Sequence, residues 1–483
     1  MRRIVILVVA LLVASNLSAA SKPNLILILT DDQDLSSLAY MPKTLELLGA
    51  QGMTFRNHFV PLSLCCPSRA TLLTGLHAHN HKVYTNFAPD GGFQAFAAKG
   101  HEEASLATAL HAAGYRTALI GKYLNGYPDQ NEPTHTPPGW DVWISPVKGS
   151  PYAAYNYTLN DNGTLVKHAQ KAEDYMTDVL SRKATDFVRG SAGQPFFLFL
   201  ATYAPHKPAT VAKRHQSLFP GLRAPRTPSF NETDVRDKPP RMRNLKPLKP
   251  AQVAALDTLY RKQVLSLQAV DEAVAALVQA LRDTGQLDNT FLVFTADNGY
   301  HLGQHRLEPG KYTPYEPDIR VPLLMRGPGV PAGAEVTALT SAVDVVPTLA
   351  ELAGAALQVE PDGRSLVPFL QGQTPASWRQ AVLLEQFRYP AAPPEEGGPP
   401  HPSGHTGLRT ETFKYVEHGN GGAREVYDLK KDPDELLNLR DRVSLAWLDQ
   451  LSRRAKALRS CRGETCRQLE AQPVPEPEPR AVR

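Results

Sequence analysis

Asn24-Leu25-Ile26-Leu27-Ile28-Leu29-Thr30-Asp31-Asp32 places five consecutive aliphatic residues ahead of two carboxylates. Polar and apolar residues do not alternate, so the run reads as a strand buried on both faces, the habit of a central parallel sheet. Residues 116–120, 196–201, 291–295 and 322–325 are read as further strands of this kind. Helical patterns fill the gaps, over 42–50, 105–113, 174–189 and about 251–284. Alternation of the two predicts an α/β fold in which helices sandwich a large, mostly parallel sheet. Unusual residues then fall at carboxyl ends of strands: Asp31 and Asp32, Gly121-Lys122, Pro205-His206, and Asp297-Asn298. Open α/β sheets bind ligands at that edge, so four distant motifs are expected to share one pocket.

The later part of the chain is organised differently. Residues 205–250 are rich in proline, with Pro220, Pro225, Pro228, Pro239, Pro240 and Pro247 among basic residues, and are expected to form a long loop, and 390–402 (PAAPPEEGGPPHP) forms a second break. Short strands over 382–385, 414–417 and 425–428, followed by a helix over 444–458, predict a smaller antiparallel sheet. The implied division is a leader over 1–20, a catalytic domain over 21–375, a C-terminal subdomain over 376–470 and a disordered tail over 471–483.

Lys and Arg total 52 against 48 for Asp and Glu in 483 residues. Charge is nearly balanced, and nothing calls for a nucleic-acid partner. Met1-Arg2-Arg3, the apolar stretch 4–14 and Ser18-Ala19-Ala20 read as a secretory signal cleaved after Ala20. No other stretch reads as a membrane span of roughly 20 residues. The protein is expected to be secreted or periplasmic, or lysosomal in an animal host. In an oxidising compartment Cys461 and Cys466, in Cys-Arg-Gly-Glu-Thr-Cys, are spaced to close a small disulfide loop, with metal binding as the alternative. Asn156, Asn162 and Asn231 head glycosylation sequons that matter only in a eukaryotic host.

The densest information lies in Cys65-Cys66-Pro67-Ser68-Arg69-Ala70-Thr71-Leu72-Leu73-Thr74-Gly75. Pro67 suits a first helical turn, whose unpaired amides attract anions, so Cys65 is a candidate nucleophile at an anion site. The string resembles the CxPSRxxxLTG signature of the formylglycine-dependent sulfatases, in which the first cysteine is oxidised to an aldehyde by a formylglycine-generating enzyme. Cys65 matches that position and Cys66 the free one. Similarity runs from residue 24 to about 439, ending after Val426-Tyr427-Asp428-Leu429, and implies an alkaline-phosphatase-like fold with C-terminal strands rimming the pocket. Arg409 and Glu411 become possible substrate contacts by that likeness, with a surface role the default.

The resemblance gives the strand-end residues roles. Asp31, Asp32, Asp297 and Asn298 match the family's calcium ligands, completed by the oxidised Cys65 side chain, and their oxygen donors favour calcium over zinc. Arg69 matches the arginine that holds the formylglycine, and Lys122 and Lys311 match sulfate-contacting lysines. His206, in Ala-Pro-His-Lys-Pro, matches the acid that protonates the leaving oxygen. A hydrated aldehyde offers two hydroxyls on one carbon: one attacks sulfur and the other lets the adduct collapse, whereas serine or cysteine would be trapped.

One departure stands out. Many arylsulfatases carry GKWHLG after the strand, whereas here Leu124 replaces the histidine in Gly121-Lys122-Tyr123-Leu124-Asn125-Gly126. GKYLN, Cys66 and Gly299-Tyr300-His301-Leu302-Gly303-Gln304-His305 are similar to the branch containing N-acetylglucosamine-6-sulfatases and extracellular endosulfatases. His301 or His305 then becomes a candidate for the missing base, and Asn125 an auxiliary residue. Three functions follow: a calcium-dependent sulfatase acting on a sulfated sugar or aryl sulfate, a phosphate or phosphonate monoester hydrolase of the alkaline-phosphatase superfamily, or a non-catalytic calcium-bound carbohydrate-binding protein.

Overall fold

A computed structural model of the chain describes residues 22–388, 404–419 and 422–480. The leader over 1–20 and the break over 390–402 lie outside the described residues. Among the described residues ten strands form one sheet: β1 (Asn24–Thr30), β2 (Met53–Phe59), β3 (Arg116–Gly121), β4 (Val142–Gly149), β5 (Tyr157–Asp161), β6 (Thr164–His168), β7 (Phe196–Ala201), β8 (Thr290–Ala296), β9 (Leu323–Arg326) and β10 (Ala334–Ser341). Their spatial order is β10-β2-β9-β8-β1-β7-β3-β4-β5-β6. β8, β1, β7, β3 and β4 are mutually parallel and make the centre.

Every residue of β1 is buried, as its unbroken apolar run requires. Leu25, Leu27 and Leu29 pack with Leu72, Leu110 and Leu349 on one face, while Ile26 and Ile28 meet Leu180, Val270 and Leu277 on the other. Truncating one such leucine to alanine costs about 2–5 kcal/mol. The long Pro250–Asp283 helix is, by length and composition, apolar enough to cross a membrane, contrary to the expectation that no stretch beyond the leader is. It lies mostly buried against the second face, and its hydrophobicity serves that contact.

Several expectations need correction. The strand expected over 322–325 exists as β9, but it runs antiparallel between β8 and β2. No long helix occurs between β8 and β9 to carry the chain back across a face, so the next strand must reverse. β2, β10 and the β4–β5–β6 arm were not foreseen, because residues such as Arg56, Asn57 and Glu335 break their apolar pattern. The helix over 42–50 is α-helical only over Pro42–Thr44 and widens into π-type turns over Leu45–Ala50.

β11 (Ala381–Gln386), β12 (His405–Thr410), β13 (Phe413–His418) and β14 (Arg424–Asp428) form the second sheet, an antiparallel meander. The Leu445–Leu458 helix packs on it through Trp447, Leu448 and Leu451. Within the tail expected to be disordered, residues 471–480 are described and make fixed contacts. Trp447 Nε1 donates to Pro475 O at 3.0 Å and Ser444 N to Glu478 O at 2.8 Å, so the proline-rich end is pinned along that helix. Cys461 and Cys466 are joined in a disulfide, which leaves neither thiol for a metal. Arg379 fastens this region to the main sheet, reaching Asp344 at 2.5 and 2.7 Å and Glu470 at 2.8 Å with no solvent access.

Candidate active site

Parallel register assembles the site. Thr30 of β1 is level with Ala296 of β8, Leu29 with Ala201 of β7, and Ala201 with Gly121 of β3. Asp31, Asp297 and Lys122 are therefore the first residues beyond neighbouring strand ends. Asp297 N donates to Thr30 O, and Lys122 N to Ala201 O. Gly121 has φ +122°, and a Cβ there would lie 1.8 Å from Ala201 O, so only glycine lets Lys122 leave β3 at this angle. Asp32 takes φ 62°, a left-handed turn that aspartate tolerates, with its amide donating to Asp297 Oδ1 at 3.1 Å.

The helix Cys65–Thr74 approaches with all ten residues buried, and Cys65 opens its first turn. Cys65 Sγ lies 3.3 Å from Asp31 Oδ1 and 3.7 Å from Asp32 Oδ1. Lys311 Nζ reaches both Cys65 Sγ and Asp32 Oδ1 at 2.6 Å. Lys122 Nζ sits 2.5 Å from Asp31 Oδ2. One turn along the helix, Arg69 donates through Nε to Asp297 Oδ2 at 2.8 Å and through Nη1 to Lys122 O at 2.9 Å. His206 places Nε2 3.4 Å from Asp32 Oδ2 while its Nδ1 engages Lys207 O at 2.7 Å. Asn298 Nδ2 donates to Asp32 Oδ1 at 2.7 Å.

Charges here are almost fully desolvated, so each survives through its partner. Burial pushes the Asp31 carboxyl up, yet Lys122, His206 and Arg69 outweigh it and hold the group at about 2. Asp32 is likewise lowered against its burial, by Lys311 and His206. Burial and the adjacent Asp31 push the Cys65 thiol well above its ordinary range; the unmodified side chain is a protonated thiol, a poor nucleophile. Burial drives Cys66 to about 12. His206 is lowered chiefly by burial, although Asp32 and Asp31 oppose that.

A cleft of about 600 Å³ opens on Lys122 and His206. Asn125, Tyr152, Tyr203, Lys148 and Lys207 are among its walls, and among the described residues no carboxylate lines it. Tyr152 and Tyr203 belong to no motif visible in the sequence. They arrive from the β4–β5 connection and the turn after β7, and only the fold pairs them.

Not every candidate converges. His305 Nδ1 is held by Glu232 at 2.6 Å, its ring packs on Tyr315, and it faces a different cavity with Asp34 and Gln304. His301 shares its Nδ1 with both oxygens of Asp318, which also accepts from Thr313. With the paired backbones of His301 and Gly310, that arrangement braces the loop presenting Lys311. Arg409 is buried, pairs with Glu316 at 3.2 Å and stacks on Phe59, so its charge is committed within the protein; Glu411 is exposed.

Residues 23–355 match the family model described as Sulfatase, and residues 303–460 match N-sulphoglucosamine sulphohydrolase, C-terminal. The N-acetylglucosamine-6-sulfatase of Homo sapiens is 37% identical over 477 residues, covering 92% of this chain and 86% of that protein. A protein solved in complex with its substrate D-glucosamine-2-N,6-O-disulfate superposes with TM-score 0.75 at 25% identity, covering 94% of this chain and 99% of its own. The phosphonate monoester hydrolase of Agrobacterium radiobacter superposes with TM-score 0.67 at 25% identity, covering 90% of this chain and 94% of its own. Family match, length of alignment and fold agree: the chain belongs to the sulfatase family and is a sulfuric ester hydrolase.

Proposed function

We propose that the enzyme removes sulfate from a sulfated sugar, N-acetylglucosamine 6-sulfate being one such ester, or from an aryl sulfate. Cys65, converted to formylglycine by a formylglycine-generating enzyme, and one calcium ion are the reactive parts. The observation that carries this reading is the convergence of Cys65 Sγ, Asp31, Asp32 and Lys311 beside a cleft that holds Lys122 and His206.

Calcium suits the donor set. Asp32 Oδ2 and Asn298 Oδ1 are buried and accept no hydrogen bond, which is costly unless a cation meets them. Ligand atoms of Asp31, Asp32, Cys65 and His206 lie within 4.8 Å of one another. Asp31, Asp32, Asp297 and Asn298 would hold the ion, joined by an oxygen replacing the Cys65 sulfur. When bound, it polarises the sulfate and stabilises negative charge on the attacking oxygen. The formylglycine supplies a hydrated aldehyde, whose paired hydroxyls spare the enzyme a stable sulfate ester.

The chain's own side chains do the rest. Asp31, Asp32 and Asp297 face Arg69, Lys122 and Lys311, so these six groups cancel before His206 is counted. A dication therefore leaves the pocket positive, the sign an ester sulfate needs. Lys122 and Lys311 clamp sulfate oxygens, and Arg69 fixes Asp297 and the Lys122 backbone. His206, its Nδ1–H held by Lys207 O, donates from Nε2 to the departing sugar oxygen in its doubly protonated, imidazolium form. Lys148 and Lys207 on the cleft wall favour an anionic saccharide over a neutral one. Export, secreted or periplasmic, or lysosomal in an animal, accords with the leader-like N-terminus.

Mass spectrometry of the peptide containing Cys65, from a host with the maturation enzyme, tests the reading together with hydrolysis of glucosamine 6-sulfate, 4-nitrophenyl sulfate and 4-nitrophenyl phosphate. Aldehyde at Cys65 and preference for sulfate are expected. A thiol alone would remove the formylglycine mechanism. Preference for phosphate or phosphonate esters would move the enzyme to the reading that the Agrobacterium likeness keeps open.

A further inference from the structure

Tyr152 lies in the short helical turn Pro151–Ala153 of the β4–β5 connection. Its ring centroid is 4.5 Å from that of His206 and 5.0 Å from that of Tyr203, and Lys122 Nζ lies 5.1 Å from it. The hydroxyl accepts from Asn125 Nδ2 at 3.3 Å. The Asn125 NH2 and the Lys122 ammonium only donate, which leaves the phenolic hydrogen available to an acceptor in the cleft. Tyr152 lines the cleft, where an incoming sulfate would meet that hydrogen. Burial keeps the phenol protonated, pushing it up to about 12 although Lys122 opposes this.

Resting on the sulfatase reading above, we propose that Tyr152 is a substrate-contacting residue, its O–H donating to a sulfate oxygen beside Lys122 while its ring positions His206. Lys122 and His206, the sulfate clamp and the acid on the cleft side, are then both packed against one aromatic side chain, from an arm at the edge of the sheet.

Steady-state kinetics with 4-nitrophenyl sulfate, and inhibition by inorganic sulfate, test it in the full-length matured enzyme. Tyr152→Phe removes one oxygen and keeps the ring. Loss of a hydrogen bond to a charged group predicts a rise of about tenfold to a hundredfold in KM and in the sulfate inhibition constant, with a smaller fall in kcat. Tyr152→Leu should add a loss in kcat, since His206 and Lys122 lose their packing surface. A merely structural role would lower the melting temperature of both variants and leave sulfate inhibition of Tyr152→Phe at the wild-type value, which overturns the proposal. If Tyr152→Leu does not fold, Tyr152→Phe alone decides. Wild-type enzyme inert toward every sulfate ester would overturn the functional reading and this proposal with it. An active wild type with an unperturbed Tyr152→Phe overturns this proposal alone.

Discussion

Replacing His206 by glutamine separates acid catalysis from anion binding. The imidazole is nearly buried, its Nδ1 is tied to Lys207 O at 2.7 Å, and Nε2 is the only ring nitrogen facing the cluster. If Nε2 protonates the leaving oxygen, its value depends on how badly that oxygen needs a proton. A sugar alkoxide needs one, whereas nitrophenolate leaves readily without it. General acids contribute about 10²–10⁴ in rate, or about 2.7–5.4 kcal/mol of barrier. His206→Gln should therefore lose about that factor in kcat on glucosamine 6-sulfate and less than about tenfold on 4-nitrophenyl sulfate. The fold should tolerate the change, because Asp32 keeps Lys311 at 2.6 Å; stability should fall by about 1–3 kcal/mol, the cost of one lost buried partner. The assay is kcat for both esters, with thermal melting as the control. Equal losses on the two substrates would refute the assignment and make His206 a sulfate-binding group like Lys122.

Other perturbations read other parts of the structure. Dialysis against a chelator, verified by metal analysis, should abolish turnover and lower the melting temperature. Calcium should restore both better than zinc, and unchanged activity at zero bound metal would contradict the oxygen-ligand site. Arg379→Ala strands Asp344 and Glu470 in a dry interface and should cost about 3–5 kcal/mol, read by chemical denaturation; a loss below about 1 kcal/mol would mean the junction relaxes or admits water. Burial pushes the His58 and His81 imidazoles down to about 4 and about 3. The unfolded chain then binds those protons first, so stability present above about pH 6.5 declines as pH falls, by about 2 kcal/mol for each histidine at pH 5. His77, raised because Glu470 and Asp362 outweigh its burial, acts in the opposite sense. Melting temperature should fall from pH 7 to pH 5, less steeply in His81→Asn, and a slope unaltered by that substitution would exclude His81.

The parts legible in the sequence are those whose signal is local. An aliphatic run such as residues 25–29 announces a doubly buried strand, and the polar residues after it announce an edge where chemistry can gather. Direction is not local, because β9 is apolar on both faces whether it runs parallel or antiparallel. Neither is partnership across distance: Arg409 meets Glu316 from 93 residues away, and His305 meets Glu232 from 73. Those contacts engage Arg409, which family likeness offered as a substrate contact, and His305, which its motif offered as a base. Tyr152 was invisible for the converse reason, since its importance comes from the arm that carries it and from nothing in its neighbours.

What turns separate motifs into one site is register, which no single motif encodes. Thr30 level with Ala296, and Ala201 level with Gly121, put Asp31, Asp297 and Lys122 into one row just beyond the sheet. Side chains alternate along a strand, so slipping β8 by one residue would turn Asp297 toward the opposite face and bring Asn298 into its place. Arg69 would then lose the carboxylate it holds at 2.8 Å, and Asp32 the acceptor for its amide. The buried faces of β8 forbid that slip, because Leu292 and Phe294 would have to exchange cores with Phe291 and Val293. The same hydrophobic packing that stabilises the sheet thus fixes the spacing of its carboxylates, and the catalytic geometry is specified by residues that never touch the substrate.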